Sequence, residues 1–558
     1  MTGPFNVPSN VGQIIIVNST HIKLMSANLS CTDVGLEVAH ARDIYIERCL
    51  ISQSHRGIVC WRSSNVTITN CEIDQGYSGI YCCDESRNIT IMNCIISQNG
   101  DGILCFHSSD ITITNCQIRD NYMSGVRLEC STNFIIVDCV VSHNDYWDGI
   151  FCWFSSDATI TNCQIRDNAP FGVNLEFCTH FIIIDNVFTN NSLNLSGYNV
   201  MHYVHTIENN TVNGKPLYYL LNVHDYVIPR TVGSVIVVNS TSVVAKDLNQ
   251  VRIEFDWSNN ITIYDCVAEI DLEHVTNARI INCSFVRSLS VDHSKGISIY
   301  ECVNQNKFEG IFCWFSSDIT VFNCTISQSR YVGIFCWLSS NITITNCEIG
   351  RNDGEGIPCW LSSNITIMDC SITQNDVGMD VHKSSNVSIH YCNIYGNRGH
   401  GLFVVGSRGV NATYNWWGSP SGPEYKEEGD PYDPEEVYSK DGPEHLIYEP
   451  WSTKPFGAKP TPQQPVVLSP LSLILIGSIL IGSVLIAVPV RYWKAERSRS
   501  EKLLKLVRRK RQYRFRIDYL VSKTGLDERK VERLLTKLLK NGQLTRILDR
   551  EAGTFTYI

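Results

Sequence analysis

The stretch SSNITITNCEIGRNDGEGIPCW, Ser339 to Trp360, decides the fold. Within it Ile342 and Ile344 alternate with Thr343 and Thr345, the pattern of a strand with one buried and one wet face. A bend falls at Asn346, the apolar phase resumes at Cys347 and Ile349, and Gly350 to Gly356 supplies turn chemistry before Ile357 and Cys359. The passage comes back every 22 to 24 residues, with cysteines at Cys49, Cys71, Cys94, Cys116, Cys139 and Cys163, then at Cys302, Cys324, Cys347, Cys370 and Cys392. A fixed period of this length marks a solenoid, because one repeat cannot bury its apolar face alone whereas a stack builds a continuous core. β-Branched residues in alternation, punctuated by Asn, Ser and Gly, exclude helical repeats. Each unit is therefore expected to be one coil of a parallel β-helix.

The same alternation points both cysteine series inward. Coils stack about 4.8 Å apart, so like residues form ladders, and roughly sixteen coils make a rod about 75 Å long. All 24 cysteines precede Pro420. Apart from Cys82 and Cys83 they lie mostly eleven or more residues apart, which is not the paired spacing of a zinc site. Asn186 takes the slot of the first series, which favours buried thiols that pack rather than ligate. Disulfides between stacked coils fit the Cα spacing, and the sequence leaves their pairing open. His202 and His205 have a metal-compatible spacing but are read as a surface pair. No metal site or cofactor is expected, since copper or calcium would need a clear ligand motif.

Trp314, Trp337 and Trp360 hold one outward position in three consecutive coils, and Trp61, Phe106 and Trp153 hold the same slot earlier. Such rings either offer a strip for stacking on sugar rings or fold over the Ser-Ser turn that follows and cover a corner of the solenoid.

The array is duplicated: VGQIIIVNST from Val11 is answered by VGSVIVVNST from Val232, with HTIENNTVNGKPLYYLLNVHDYVIP between them. GILCFHSSDITITNCQIRDN from Gly102 also recurs as GIFCWFSSDATITNCQIRDN from Gly149. The divisions are a first array over 1–195, an inter-array segment 196–231, and a second array with its C-terminal cap over 232–453, to which LIYEPW adds a strand. A Pro-rich linker follows over 454–465. Val466 to Val490 is uncharged and long enough to cross a hydrocarbon core, which needs about 20 residues. The basic run RYWKAERSRSEKLLKLVRRKRQ after it, with Tyr492 and Trp493 at the interface, places 491–558 in the cytoplasm and the β-helix outside a single-pass membrane protein. Sequons at Asn65, Asn88, Asn341 and Asn364 are glycosylation candidates on that outer side, although the repeat itself generates them. Met1 to Asn18 shows neither a basic nor a long apolar signal region, so further residues are expected upstream, including the N-terminal cap that would cover a strand edge.

The net charge of −10 hides a split, because 491–558 holds 20 Lys or Arg against 8 Asp or Glu. RIDYLVSKTGLDERKVERLLTKLLKNGQLTRILDREAGTFTYI reads as helix, turn at Gly525, second helix from Asp527, and a β-hairpin. Val531, Leu534, Leu535, Leu538 and Leu539 form the buried stripe of the second helix, and Arg529, Lys530, Arg533 and Lys537 its other face. Over about 45 residues the pattern resembles a winged helix-turn-helix domain, which implies a second helix in the major groove and a wing near Arg546 and Arg550 on the DNA backbone. A basic juxtamembrane segment also follows from topology and anionic lipid alone, and winged helices serve as protein-docking modules. DNA and a cytoplasmic protein both stand as partners.

Through NGKPLYYL, the VNST starts, the GI turns and the NWWGSPSGP ending, Val7 to Trp451 resembles the NosD-like, carbohydrate-binding and sugar-hydrolase class of right-handed parallel β-helix proteins. The resemblance implies a mainly β solenoid on the periplasmic or surface side, with copper delivery in some members and polysaccharide binding or cleavage in others; such a range does not assign chemistry. Copper favours Met, His or exposed Cys, yet the chain has 7 Met and inward cysteines. For a polysaccharide hydrolase or lyase, Asp101, Asp148, Asp353 and Glu355 sit at turns, and Gly399-His400-Gly401 resembles a polygalacturonase motif without its Asp-containing partners. An Asp ahead of Gly is ordinary turn chemistry. The expected role is recognition of an extracellular glycan or protein, coupled to the inner module. A membrane-tethered polysaccharide hydrolase or lyase, a NosD-like copper-delivery protein and a passive surface or adhesion rod are the alternatives.

Overall fold

A computed structural model of the chain describes residues 3–5, 12–304, 308–426, 436–439, 445–457, 546–549 and 554–557. The chain divides into two compact units, Met1–Gln463 and Gln464–Ile558. In the first, strands pair in parallel with their counterparts one coil away: Ile342 stands opposite Ile319 on one side and Ile365 on the other. Ile342, Ile344, Cys347, Ile349, Ile357 and Cys359 are all buried, as the alternation requires. Asn346 sits at φ 59° and its equivalents Asn70, Asn93 and Asn115 at 50–54°, a left-handed region that Asn enters more readily than most residues. That is why an Asn so often precedes the ladder cysteine.

The cysteine ladder is also a hydrogen-bond ladder. Cys370 donates its thiol to Met368 O at 3.1 Å, and its sulfur accepts from Cys347 N–H at 3.5 Å. At Asn186, the side-chain NH2 donates to Ile184 O at 3.1 Å and Oδ1 accepts from Cys163 N–H at 2.9 Å. Cys and Asn interchange at this corner because each offers one donor and one acceptor there. Every cysteine is a free thiol, and all but Cys31 and Cys130 are buried. Where the GI turn closes, a Cβ on Gly333 would lie 2.6 Å from Gly356 O, so the glycines of this column are required by the approach of neighbouring coils.

The arrays do not form one rod. Thr211–Val212 pairs antiparallel with Lys215–Leu221 across Asn213 and Gly214, at φ 52° and 75°, the Asn-Gly chemistry of a tight hairpin. Parallel pairing then resumes with Ser234–Val238 and Asn249–Asp256. Ile236 and Val238 join the core of the first array while Val235 and Val237 join that of the second, so all five residues of Ser234–Val238 are buried. The expected single stack of about sixteen coils is thus corrected to two solenoids whose cores lie on opposite faces of a shared sheet. Among the described residues each array contributes a ten-stranded sheet to its wall.

Coils shorten at this junction. Equivalent residues are 17 positions apart at Asn222 and Asn239 and at Asp265 and Asn282, against 22 at Cys302 and Cys324. Val267–Glu273 and Ser284–Asp292 therefore run unbroken, where a later coil carries two strands, Glu348–Gly350 and Ile357–Trp360, with a turn between them. At the far end Leu446–Ile447, from the LIYEPW segment, pairs with Arg408–Asn411, and Trp417 is fully buried.

Among the described residues no helix is long and apolar enough to cross a membrane. The expected span at 466–490 lies outside the described residues, as do Arg529, Lys530, Arg533, Lys537 and Arg550 and the expected helices of the winged domain. In the second unit Arg546–Asp549 pairs antiparallel with Thr554–Tyr557, a hairpin at the predicted wing.

Candidate functional site

Beyond the shared strands, the sheet of the second array turns alternate residues outward. Val251, Ile253 and Phe255 enter the core, which leaves Arg252, Glu254 and Asp256 on the opposite face, against the end of the first array. Arg252 is buried there and meets Glu254 at 2.5 Å, Asp271 at 3.0 Å and Asn194 Oδ1 at 2.7 Å, with Phe171 under its guanidinium. The polar chain continues from Asn194 to Asn174 and on to Asp148, at 2.9 Å each. Charges taken this far from water need such pairing to be tolerated. The Glu254 and Asp256 carboxyls also hydrogen-bond to each other, and burial raises both above their ordinary range.

Two outward columns leave this corner. In one, Asp256 faces Glu273, then come Asp292, Trp314, Trp337, Trp360 and His382. In the other, Asp271 and Ser290 lead to Phe312 and Phe335. Side chains of Asp271, Glu273 and Asp292 are 25%, 26% and 34% exposed, so water reaches them. Burial pushes Glu273 up to about 7, against the opposing effect of the Tyr203 hydroxyl that faces it from the first array. His293 Nδ1 lies 2.8 Å from Asp292 Oδ1, and its ring stacks on Phe315. The result is an inner corner with carboxylates at the foot and aromatic rungs leading away.

The three tryptophans occupy consecutive rungs and are half-buried. Trp314 and Trp337 meet edge to face at 4.7 Å and 75°, Phe335 meets Trp360 at 5.2 Å and 86°, and Trp360 Nε1 donates to Asp380 at 2.9 Å. The surface is a herringbone of rings tilted against one another. In the first array Trp61, Phe106 and Trp153 share one slot but alternate with Cys83 and Glu129, which interrupts the expected column. Trp61 is 39% exposed and donates to Asp84 at 2.8 Å.

Other candidates from the sequence have structural partners. Asp101 and Asp148 are buried and accept from Ser124 N–H at 3.1 Å and Phe171 N–H at 2.9 Å. Asp353 is exposed at its turn, Glu355 half-buried, and His400 is stacked against both Phe403 and Tyr438, which also stack on each other. Asn88 donates to Asn65 at 2.7 Å and Asn364 to Asn341 at 3.0 Å, so the amide nitrogens of these sequons serve an exterior ladder. His202 and His205 are not a surface pair: His205 is buried, accepting from Phe181 N–H at Nδ1 and donating from Nε2 to His202 O, while His202 Nδ1 accepts from Tyr198 N–H.

The reading from sequence missed Arg252, Asp271, Glu273, Asp292 and Tyr203. A signal was present in VRIEFDW and VAEIDLE, where charges alternate with apolar residues in strands of shortened period.

The family described as right handed beta helix region matches residues 12–146 and 268–416. The family described as periplasmic copper-binding protein (NosD) matches 138–229. Within that stretch His202 and His205 direct ring nitrogens to the backbone, and among the described residues no group of three or more His, Cys, Asp or Glu can hold a metal ion, so the residues do not fit a copper site. Comparison with curated proteins finds no match. Among solved structures, the tailspike of Pseudomonas phage phi297 is 8% identical with a TM-score of 0.25, covering 53% of this chain and 48% of its own, so the chain spans about half its length. The A-module of a mannuronan C-5 epimerase from Azotobacter vinelandii is 10% identical with a TM-score of 0.21, covering 77% and 91%. Pectate lyase Pel9A is 12% identical with a TM-score of 0.21, covering 55% and 67%. Matched over both arrays and built from stacked parallel coils, the chain belongs to the right-handed β-helix family.

Proposed function

We propose that the protein binds a glycan along the outward face of its second array, outside the cell, with 466–490 as its membrane tether. The observation that carries this reading is the unbroken succession Asp292, Trp314, Trp337, Trp360 on neighbouring coils. Aromatic rungs supply apolar contact for sugar faces, and carboxylates beside them accept hydroxyl or ammonium hydrogens. On this stretch Arg252 and Arg287 are already paired with Asp271 and Glu269, which leaves these cations poorly placed to meet a uronate, so the favoured ligands are neutral or amino-sugar glycans.

Affinity electrophoresis of the full-length protein on glucan, mannan, chitosan and polygalacturonate tests this. Retardation by one of the first three, weakened about tenfold by Trp337→Ala, is expected; a tenfold change corresponds to about 1.4 kcal/mol, within the range of an aromatic contact. Retardation by none, or by polygalacturonate alone, overturns the reading.

Inside the cell, the hairpin Arg546–Asp549 and Thr554–Tyr557 supports a winged module in which Arg529, Lys530, Arg533, Lys537, Arg546 and Arg550 meet DNA. Full-length protein in detergent, titrated with genomic and random duplex across a salt series, tests it. Selective retention supports the DNA reading, and sequence-independent binding lost at moderate salt rejects it.

A further inference from the structure

We propose that Glu273 and Asp292 are a catalytic pair that hydrolyses a glycosidic bond of the glycan held on the tryptophan rungs. The proposal rests on the binding reading above. The two residues are register partners on adjacent parallel strands and both leave the core face, since Leu272 and Val291 beside them are fully buried. Side chains on neighbouring strands project in parallel about 4.8 Å apart, close to the roughly 5–5.5 Å that separates acid and nucleophile in retaining glycosidases. Trp314 is the next rung after Asp292, so a sugar stacked there places its neighbouring linkage over the pair. On the other side of Glu273 stands Asp256, 1% exposed, its carboxyl engaged with Glu254 beneath the same corner.

The environments of the two carboxyls differ. Glu273 lies against Tyr203 and the buried Asp256 and Glu254, and its proton is retained to about pH 7 mainly through burial. Asp292 is the more exposed of the two, with His293 Nδ1 2.8 Å from its Oδ1. In the first step Glu273 gives its proton to the leaving oxygen as the C1–O bond breaks, and an Asp292 oxygen forms an ester to C1. In the second, water attacks C1, its proton passes to the Glu273 carboxylate, and the Asp292–C1 bond breaks. One water is consumed per linkage, and the configuration at C1 is retained.

The test uses full-length protein with the glycan that retards it, following reducing ends and the anomer first released. Wild type is expected to release the retained anomer. Glu273→Gln and Asp292→Asn should each lower kcat at least a hundredfold while electrophoretic retardation stays close to wild type, as does thermal unfolding at about pH 4.5, where Glu273 keeps its proton in the folded state. Glu273→Gln should also lose the alkaline limb of the pH profile, and Asp292→Ala in azide should recover turnover as a glycosyl azide. Retardation without reducing ends from wild type overturns the catalytic pair and leaves binding intact. Equal release by wild type and both variants overturns the assignment of these residues, inverted product overturns the covalent role of Asp292, and absence of retardation overturns binding and catalysis together.

Discussion

Arg252 of the second array donates through Nη1 to the main-chain oxygen of Leu193 at 2.8 Å. Leu193–Ser196 is the last strand of its nine-stranded sheet, so the guanidinium satisfies a carbonyl that would otherwise face an open sheet edge. The two arrays are joined at this point by a charge as well as by shared apolar strands.

Replacing Arg252 with Met should leave Glu254 and Asp271 without their cation. Breaking a buried pair from one side costs about 3–5 kcal/mol. Denaturant unfolding should show that loss and a splitting of one transition into two, one for each core. A single transition with an unchanged midpoint would mean that the shared strands alone hold the arrays together.

The junction carries a dependence on pH with a definite sign. Glu273 rises from 4.5 to about 7 and Asp148 from 3.8 to about 6, both chiefly through burial. The folded state therefore keeps protons that the unfolded chain releases, and this stabilisation is full below about pH 4 and lost as pH climbs to 7. His205, lowered from 6.5 to about 4 by burial, acts oppositely: its contribution is full above 6.5 and lost as pH falls through 4. The difference in Tm between wild type and Glu273→Gln should move in favour of wild type as pH drops from 7 to 4.5. A constant difference across that window would place Glu273 outside the linkage.

At the cysteine corner, hydrogen bonding rather than volume should decide tolerance. Cys370→Asn keeps an acceptor for Cys347 N–H and a donor for Met368 O. Its stability should stay near that of wild type, whereas Cys370→Val leaves the Cys347 amide unsatisfied at a cost of about 1–3 kcal/mol. Denaturation midpoints of the two variants decide, and equal loss in both would mean that packing governs the site.

Gly333→Ala places a Cβ 2.6 Å from a backbone oxygen of the next coil. Backbone cannot move aside as a side chain can, so a loss of about 1–3 kcal/mol is expected from overpacking. Alanine at Gly457, where no atom lies within 4 Å of the added carbon, is the matched control. Equal melting temperatures for the two variants would show that coils can separate locally.

The coil was legible in the chain because its period and alternation are local: Ile342, Ile344, Cys347 and Ile349 each took the face that the pattern dictates. Reversal at Asn213 and Gly214 was not legible, since NGKPLYYL has the same apolar content whether its strand faces one core or two. The tryptophan slot was readable from spacing, but ring tilt depends on Phe335 and Asp380, which come from other columns. Glu273 and Asp292 escaped notice because an outward charge on a strand is ordinary. Their setting becomes apparent once the short coils bring Tyr203 and Arg252 to the same corner.

Ser234–Val238 has no solvent side, and Lys215–Leu221 beside it also contributes to both cores. Inheritance by duplication must respect that constraint. Coils can be copied or deleted within an array, as the recurrence of the Gly102 segment at Gly149 attests, because each copy meets neighbours like itself. An entire array moved to another protein must carry these two strands with it or leave an apolar wall exposed to water. The portable module of this architecture therefore ends beyond the hairpin, rather than at the edge of the visible repeat.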